Sequence, residues 1–254
     1  CLSAYFLKIP IVIYENNLVI GRANRLLLPI SKKILVSTES INGIKEKYKN
    51  KIFFSGYLLK DEIFKMNKQK IKKKEGDLSI LIIGGSQSAK IFGEYLPKII
   101  KQCCDNNIKF KIYQQCLDYQ KDELNKFYKE LNLDFELFTF TNNLLKYYEK
   151  VDLAITRSGA SSIAELANLN IPFITVPLPS SADNHQLKNA IYFESKGYCL
   201  LLEQKYIFEK LFEMLKDLNK DRNKLILFKE KMTKHSDEKA LARTKDLINK
   251  VLNG

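Results

Sequence analysis

Three stretches of this 254-residue chain put small residues where an apolar run gives way to a segment of helical period, the place where α/β proteins bind anions. The first, LSILIIGGSQSAKIFGEYL (Leu78 to Leu96), reads as a strand ending at Gly84-Gly85, with Ser86-Gln87-Ser88-Ala89 opening a helix. Glycine lets the backbone approach a ligand, and the exposed N–H groups with the helix dipole attract negative charge. No GK[ST] follows, so this is not a P-loop. The second, DLAITRSGASSIAEL (Asp152 to Leu166), runs a strand into Arg157-Ser158-Gly159-Ala160 and sets Glu165 about one and a half turns into the next helix. A carboxylate there suits either both hydroxyls of a ribose or the positive end of the helix, and the motif alone fits both.

The third stretch is IPFITVPLPSSADNHQLKNAIYFESKGY (Ile171 to Tyr198). A strand breaks at Pro177 and Pro179, and Asp183 with Gln186 has capping-box spacing for a helix closing at Gly197. His185, Gln186 and Asn189 fall in the first two turns near one face, offering neutral donors and acceptors suited to sugar hydroxyls. His185 also fits a satisfied core histidine. His235, in the Lys-rich tail, reads as exposed.

These turns need a scaffold, and the chain supplies one. Short apolar runs recur at Ile9 to Tyr14, Ile34 to Ser37, Lys51 to Ser55, Ser79 to Ile83, Lys109 to Gln114, Phe135 to Thr139, Leu153 to Thr156 and Pro172 to Val176. Alternating with helical segments, they predict a parallel α/β sheet. The Lys-rich stretch between Gly56 and Gly76 predicts a domain boundary with a solvated connecting helix, a basic membrane-facing patch being the rival reading. After Gly197 the chain reads as charged and helical to its end. The opening residues read as a helix end running into a strand, which predicts a sequence lacking its front.

Composition narrows the function classes. At 45% hydrophobic residues the chain supports one large or two small domains, excluding a disordered tail. The 42 Lys and Arg against 29 Asp and Glu give a charge of +13, but no RNP-like aromatic pattern or helix-turn-helix spacing accompanies it, so no nucleic-acid partner is expected. Five cysteines without CxxC spacing predict a reducing compartment and buried thiols. The longest apolar run, Leu2 to Tyr14, is interrupted by Lys8 and Pro10 and falls short of the roughly 20 residues of a bilayer span. Neither a basic start nor a cleavage site marks it as a signal peptide. The expectation is a soluble cytoplasmic protein with peripheral membrane contact at most.

GGSQSA, then FTNNLLKYYEKVDLAITRSGASSIAEL, then VPLPSSADNHQLKNA, in this order and spacing, resemble the MurG family of bacterial peptidoglycan N-acetylglucosaminyltransferases. The front segment IPIVIYENNLVIGRANRLL is similar to that family's HEQN segment, so the resemblance spans essentially the whole chain. It implies a GT-B fold of two Rossmann-like domains. Residues 1–59 would be the remainder of the acceptor and membrane-side domain, 60–237 the donor domain, and 238–254 a helix returning to the first domain. It implies transfer of GlcNAc from UDP-GlcNAc to undecaprenyl-diphosphate-linked MurNAc-pentapeptide at the inner face of the cytoplasmic membrane. Other readings are a non-catalytic nucleotide-sugar module or another GT-B glycolipid transferase.

Carried over by residue, the resemblance implies that the backbone around Ser86 and Gln87, after Gly84 and Gly85, holds the diphosphate. Glu165 would grip the ribose, Phe140 and Thr141 would cover and read uracil, and Lys60 would stand where an Arg touches the base. Ala160, with the Arg157, Ser158 and Gly159 loop, would face diphosphate and sugar. His185, Gln186 and Asn189 would contact the GlcNAc hydroxyls, and Glu15 and Asn17 would line the sugar side. UDP-GlcNAc is a substrate, no cofactor is implied, and no DxD pair for a divalent metal occurs, so inverting, metal-independent displacement follows. The family's Gly-rich acceptor loop with its His is absent from this sequence, so no catalytic residue is assigned. Departures from the family pattern are Tyr14 for His, Asn16 for Gln, SGYLLK (Ser55 to Lys60) for a TGNPVR-like stretch, and Tyr113-Gln114-Gln115-Cys116 for an HQ.G turn.

Overall fold

The computed structural model describes residues 1–66, 76–139, 141 and 143–253. Each of the eight short apolar runs contains a strand, with ends displaced by at most three residues, and all named strands pair in parallel. The first unit contains α1 (Leu2–Phe6), β1 (Val12–Glu15), α2 (Arg22–Leu27), β2 (Lys33–Val36) and β3 (Ile52–Phe54), with sheet order β1-β2-β3. Its core is Ile11, Ile13, Ile20, Leu28, Ile34 and Val36.

The chain crosses at Ser55 to Lys60 and enters α3 (Asp61–Lys65). Lys68, Lys70, Lys72, Lys73 and Lys74 of the expected connecting helix lie outside the described residues. The second unit runs β4 (Leu78–Ile83), α4 (Ser86–Asp105), β5 (Phe110–Gln115), α5 (Lys121–Glu130), β6 (Asp134–Phe138), α6 (Leu145–Tyr148), β7 (Leu153–Thr156) and α7 (Ala160–Asn168). It continues through β8 (Phe173–Thr175), α8 (His185–Ser195), β9 (Cys199–Leu201), α9 (Ile207–Lys220), α10 (Asn223–Met232) and α11 (Ala240–Asn253).

The strand order β6-β5-β4-β7-β8-β9 reverses direction between β4 and β7, and open parallel sheets bind ligands at such switch points. All six residues of β4 are buried, as expected of a central strand covered on both faces. Alternate side chains serve different cores: Ile80 and Ile82 pack with Phe92, Leu96, Leu211 and Leu215, while Leu81 and Ile83 pack with Ile163, Ala164, Ala167 and Phe193. Helices α4 and α9 therefore cover one face, and α7 and α8 the other.

Three expectations change here. The chain after Gly197 is not helical throughout: Cys199–Leu201 extends the sheet beside β8. The capping box between Asp183 and Gln186 does not form, because Asp183 and Asn184 both take left-handed backbone (φ 52° and 54°) and α8 begins only at His185. Gln186 Oε1 instead accepts from the Leu178 N–H at 3.0 Å, pinning the proline loop. His235 is not simply exposed, since its ring packs edge-on against Phe193 and Tyr198 and its Nε2 lies 3.0 Å from Asp237 Oδ2.

Four of the five cysteines are fully or partly buried and all are free thiols. Among the described residues no helix is long and apolar enough to cross a membrane.

Candidate nucleotide-sugar site

At the switch point the turns after β4 and β7 border a cleft of about 800 Å³, whose walls include Gly84, Gly85, Gln115, Thr141, Arg157, Gly159, Ser162, Leu178 and Gln186. Two helices start at its edge: α4, capped by Gly85, and α7, capped by Gly159. Neither start has a side-chain cap, so their first N–H groups and dipoles are directed at whatever occupies the cleft. Ser86 and Gln87 open α4 as expected. Ala160 is buried at the first position of α7. Gln115 Oε1 accepts from the Gly84 N–H at 3.2 Å and so ties the end of β5 to the glycine turn.

Glu165 lies one turn further into α7 than Ser162, on the same face. Tyr148 Oη donates to Glu165 Oε2 at 2.9 Å and orients the carboxylate. Burial pushes the Glu165 carboxyl up from its ordinary range, against the opposing pull of the Tyr148 hydroxyl and the positive charge of Lys60. Lys60 itself is exposed at the start of α3. Thr141 lines the cleft and its Oγ1 accepts from the Asn143 N–H. Phe140 lies outside the described residues.

Arg157 is buried in the cleft floor. Its Nη1 donates to Val176 O at 3.0 Å and Pro177 O at 3.2 Å, its Nη2 donates to Gln204 Oε1 at 2.8 Å, and the guanidinium lies over the Phe92 ring. Burial brings its pKa down to about 10, which still leaves it cationic at neutral pH.

The remaining expected residues form a second cluster that joins the two units. Asn189, fully buried, accepts from the Leu18 N–H at Oδ1 and donates from Nδ2 to Asn17 Oδ1 (3.0 Å) and Ser158 O (3.1 Å). Glu15 is buried beneath it. Oε1 accepts from both nitrogens of Asn17, and Oε2 accepts from the Gly21 N–H at 2.7 Å and from Asn24 Nδ2. Glu15 therefore shapes the turn that presents Asn17 rather than offering an open carboxylate. His185 is half-buried, its Nδ1 bonded to Ala182 O at 2.8 Å, which leaves Nε2 as the acceptor.

Several contributors were not among the expected site residues. Tyr14, the residue in place of His, bonds Ser37 Oγ at 3.0 Å and accepts from the Leu58 N–H at 3.1 Å, hooking β1 to the crossing segment. Asp237 accepts from the Tyr57 N–H (2.9 Å) and from Asn168 Nδ2 (2.8 Å). Gly56 sits against it at φ +92°, where a Cβ would come within 2.7 Å of Asp237 Oδ1. Burial would raise the Asp237 carboxyl, but His235, Asn168 and the Tyr57 N–H more than offset it and hold it below its ordinary value. The guanidinium of Arg243, on α11, also lies over the Phe54 ring at the end of β3. Each of these partners is distant in sequence, so no local pattern announces it.

The glycosyltransferase family 28 C-terminal domain matches residues 79–251. The UDP-N-acetylglucosamine–N-acetylmuramyl-(pentapeptide) pyrophosphoryl-undecaprenol N-acetylglucosamine transferase of Pelagibacter ubique is 39% identical over 210 residues, covering 83% of this chain and 58% of its own length. The Francisella tularensis enzyme of the same name is 33% identical, covering 100% of this chain and 70% of its own length. The crystal structure of Acinetobacter baumannii MurG superposes with a TM-score of 0.80 at 26% identity, over 98% of this chain and 70% of that one. A UDP co-structure of Staphylococcus aureus MnaA shares the fold, with a TM-score of 0.65 at 14% identity. The chain thus spans about three fifths of the length of the first of these relatives.

Proposed function

The chain belongs to glycosyltransferase family 28, among the MurG-type N-acetylglucosaminyltransferases, and on that footing we propose that its switch-point cleft binds the UDP half of UDP-GlcNAc. The observation that carries this reading is the convergence on one cleft of two helix starts without a side-chain cap, with an oriented carboxylate one turn behind. The diphosphate sits against Gly84, Gly85, the opening backbone of α4 at Ser86 and Gln87, and Ala160 of α7. The ribose hydroxyls donate to Glu165, uracil lies against Phe140 and Thr141 on the side of Lys60, and the sugar reaches toward Gln186, His185 and Asn17. Asn189 acts by holding Asn17 in place.

The donor site serves transfer of GlcNAc to the lipid-linked MurNAc-pentapeptide. The bond from the anomeric carbon to the β-phosphate oxygen breaks, and its electron pair leaves with UDP. An acceptor hydroxyl bonds from the opposite face and gives its proton to a base on the acceptor side. The helix starts and Arg157 stabilise the charge gathering on UDP, a role that in other transferases falls to a metal ion. Residues 1–59 belong to the acceptor-side domain, 60–237 to the donor domain and 238–254 to the returning helix. A lipid-linked acceptor and the lysine excess support a peripheral position on the inner face of the cytoplasmic membrane.

Calorimetric titration of the chain with UDP, UDP-GlcNAc and ADP tests this. The uridine ligands should bind and ADP should not; a folded chain that fails to bind UDP overturns the proposal.

A further inference from the structure

Gln204 stands between two cavities. It follows β9 in a short 3-10 turn, and with Lys90, Ile91, Glu94, Leu178, Pro179 and Ser180 it lines a second cavity of about 500 Å³. Its Oε1 reaches through to Arg157 Nη2 at 2.8 Å, on the floor of the main cleft. Leu178 lines both cavities, so only a thin partition separates them. Two backbone carbonyls just after β8 and this side chain hold the guanidinium.

The geometry matters because a guanidinium carries its donors in a rigid planar fork. Val176 O and Pro177 O take one arm, and Phe92 supports the plane from α4. Loss of the Gln204 acceptor at Nη2 loosens the hold on the fork and lets the positive charge shift along its long stem, away from the cleft. A neutral amide suits this task better than a carboxylate, since it fixes the cation without cancelling its field.

We propose that Gln204 is a positioning residue for donor binding: by accepting from Arg157 it holds the guanidinium where its charge faces the diphosphate. This rests on the donor-site reading above. The charge acts on the phosphates and not on the nucleoside, so disturbing it separates UDP from uridine, whereas general damage to the fold weakens both alike.

The test is NMR titration of wild type, Gln204→Met and Gln204→Glu with UDP and with uridine, thermal melts being recorded alongside. Gln204→Met, which keeps the volume and removes the acceptor, should weaken UDP about fivefold, somewhat less than the loss of a full charged hydrogen bond, and leave uridine unchanged. Gln204→Glu, which keeps an acceptor but neutralises the guanidinium, should weaken UDP further, again without affecting uridine. Equal losses for both ligands, or none, in Gln204→Met overturn the inference. Should that variant not fold, wild-type UDP affinity in Gln204→Glu overturns it. A wild-type chain that binds uridine and UDP equally refutes the role of Arg157, and one that binds neither refutes the donor site itself.

Discussion

Replacing Glu165 by alanine removes the proposed acceptor for both ribose hydroxyls while leaving the rest of the cleft intact. The carboxylate is already largely desolvated and oriented by Tyr148 in the free protein, so little further desolvation opposes binding. Hydrogen bonds to a charged group each contribute about 1.5–3 kcal/mol. Loss of two, less the competition from water in the vacated space, gives roughly 3 kcal/mol, or about a hundredfold weaker UDP binding. The bond that Tyr148 loses is lost in free and bound states alike and largely cancels. Calorimetry with UDP and 2′-deoxy-UDP measures this directly. Wild type should prefer UDP by about tenfold, the share of one hydroxyl, and Glu165→Ala should bind the two ligands equally. The raised carboxyl pKa adds a pH signature: protonation removes acceptor capacity, so UDP affinity falls as pH drops through that pKa. Subtracting the profile of Glu165→Gln removes the titration of the phosphates. A Glu165→Ala protein that binds UDP normally, or still discriminates against the 2′-deoxy ligand, refutes the assignment.

Two further outcomes follow from the joins between the units. Asp237→Ala leaves the Tyr57 N–H without its carboxylate acceptor and Asn168 Nδ2 with Ala164 O alone, and should cost about 2 kcal/mol in urea denaturation. Because the Asp237 pKa is lowered by folding, its contribution is complete above the unfolded carboxyl value of about 4 and fades as pH falls through the folded one, so Asp237→Ala should flatten the acid limb of the stability profile. Asn189→Ala unties Leu18 and Asn17 from Ser158, and should weaken UDP-GlcNAc more than UDP while costing about 2 kcal/mol of stability; equal loss for both ligands would assign Asn189 to the fold alone.

The scaffold was largely legible because a buried parallel strand writes itself as a short apolar run with turn residues after it, as in Leu78 to Gly85. Cys199–Leu201 escaped because three edge residues carry no period and sit between helices of similar composition. Asp183 and Gln186 had the right spacing for a cap, but two consecutive left-handed residues moved the helix start, and spacing does not report backbone handedness. Within the site, Glu165 showed through its distance from Gly159. Tyr148 did not, since its partner is on another helix. Gln204 and Asp237 reach across 47 and 180 residues, and such contacts are fixed by topology rather than by neighbours in sequence.

The bond from Tyr57 to Asp237 closes a loop that contains the entire six-stranded sheet. Closing so long a loop in an unfolded chain is entropically costly, whereas once the sheet and α7 have formed, Asn168 already offers Asp237 its seat. The connectivity therefore favours an order of assembly in which the crossing segment is locked after the six-stranded sheet has formed. A lesion anywhere in that sheet should surface first as a loosened link between the two halves, and only later as loss of the sheet itself.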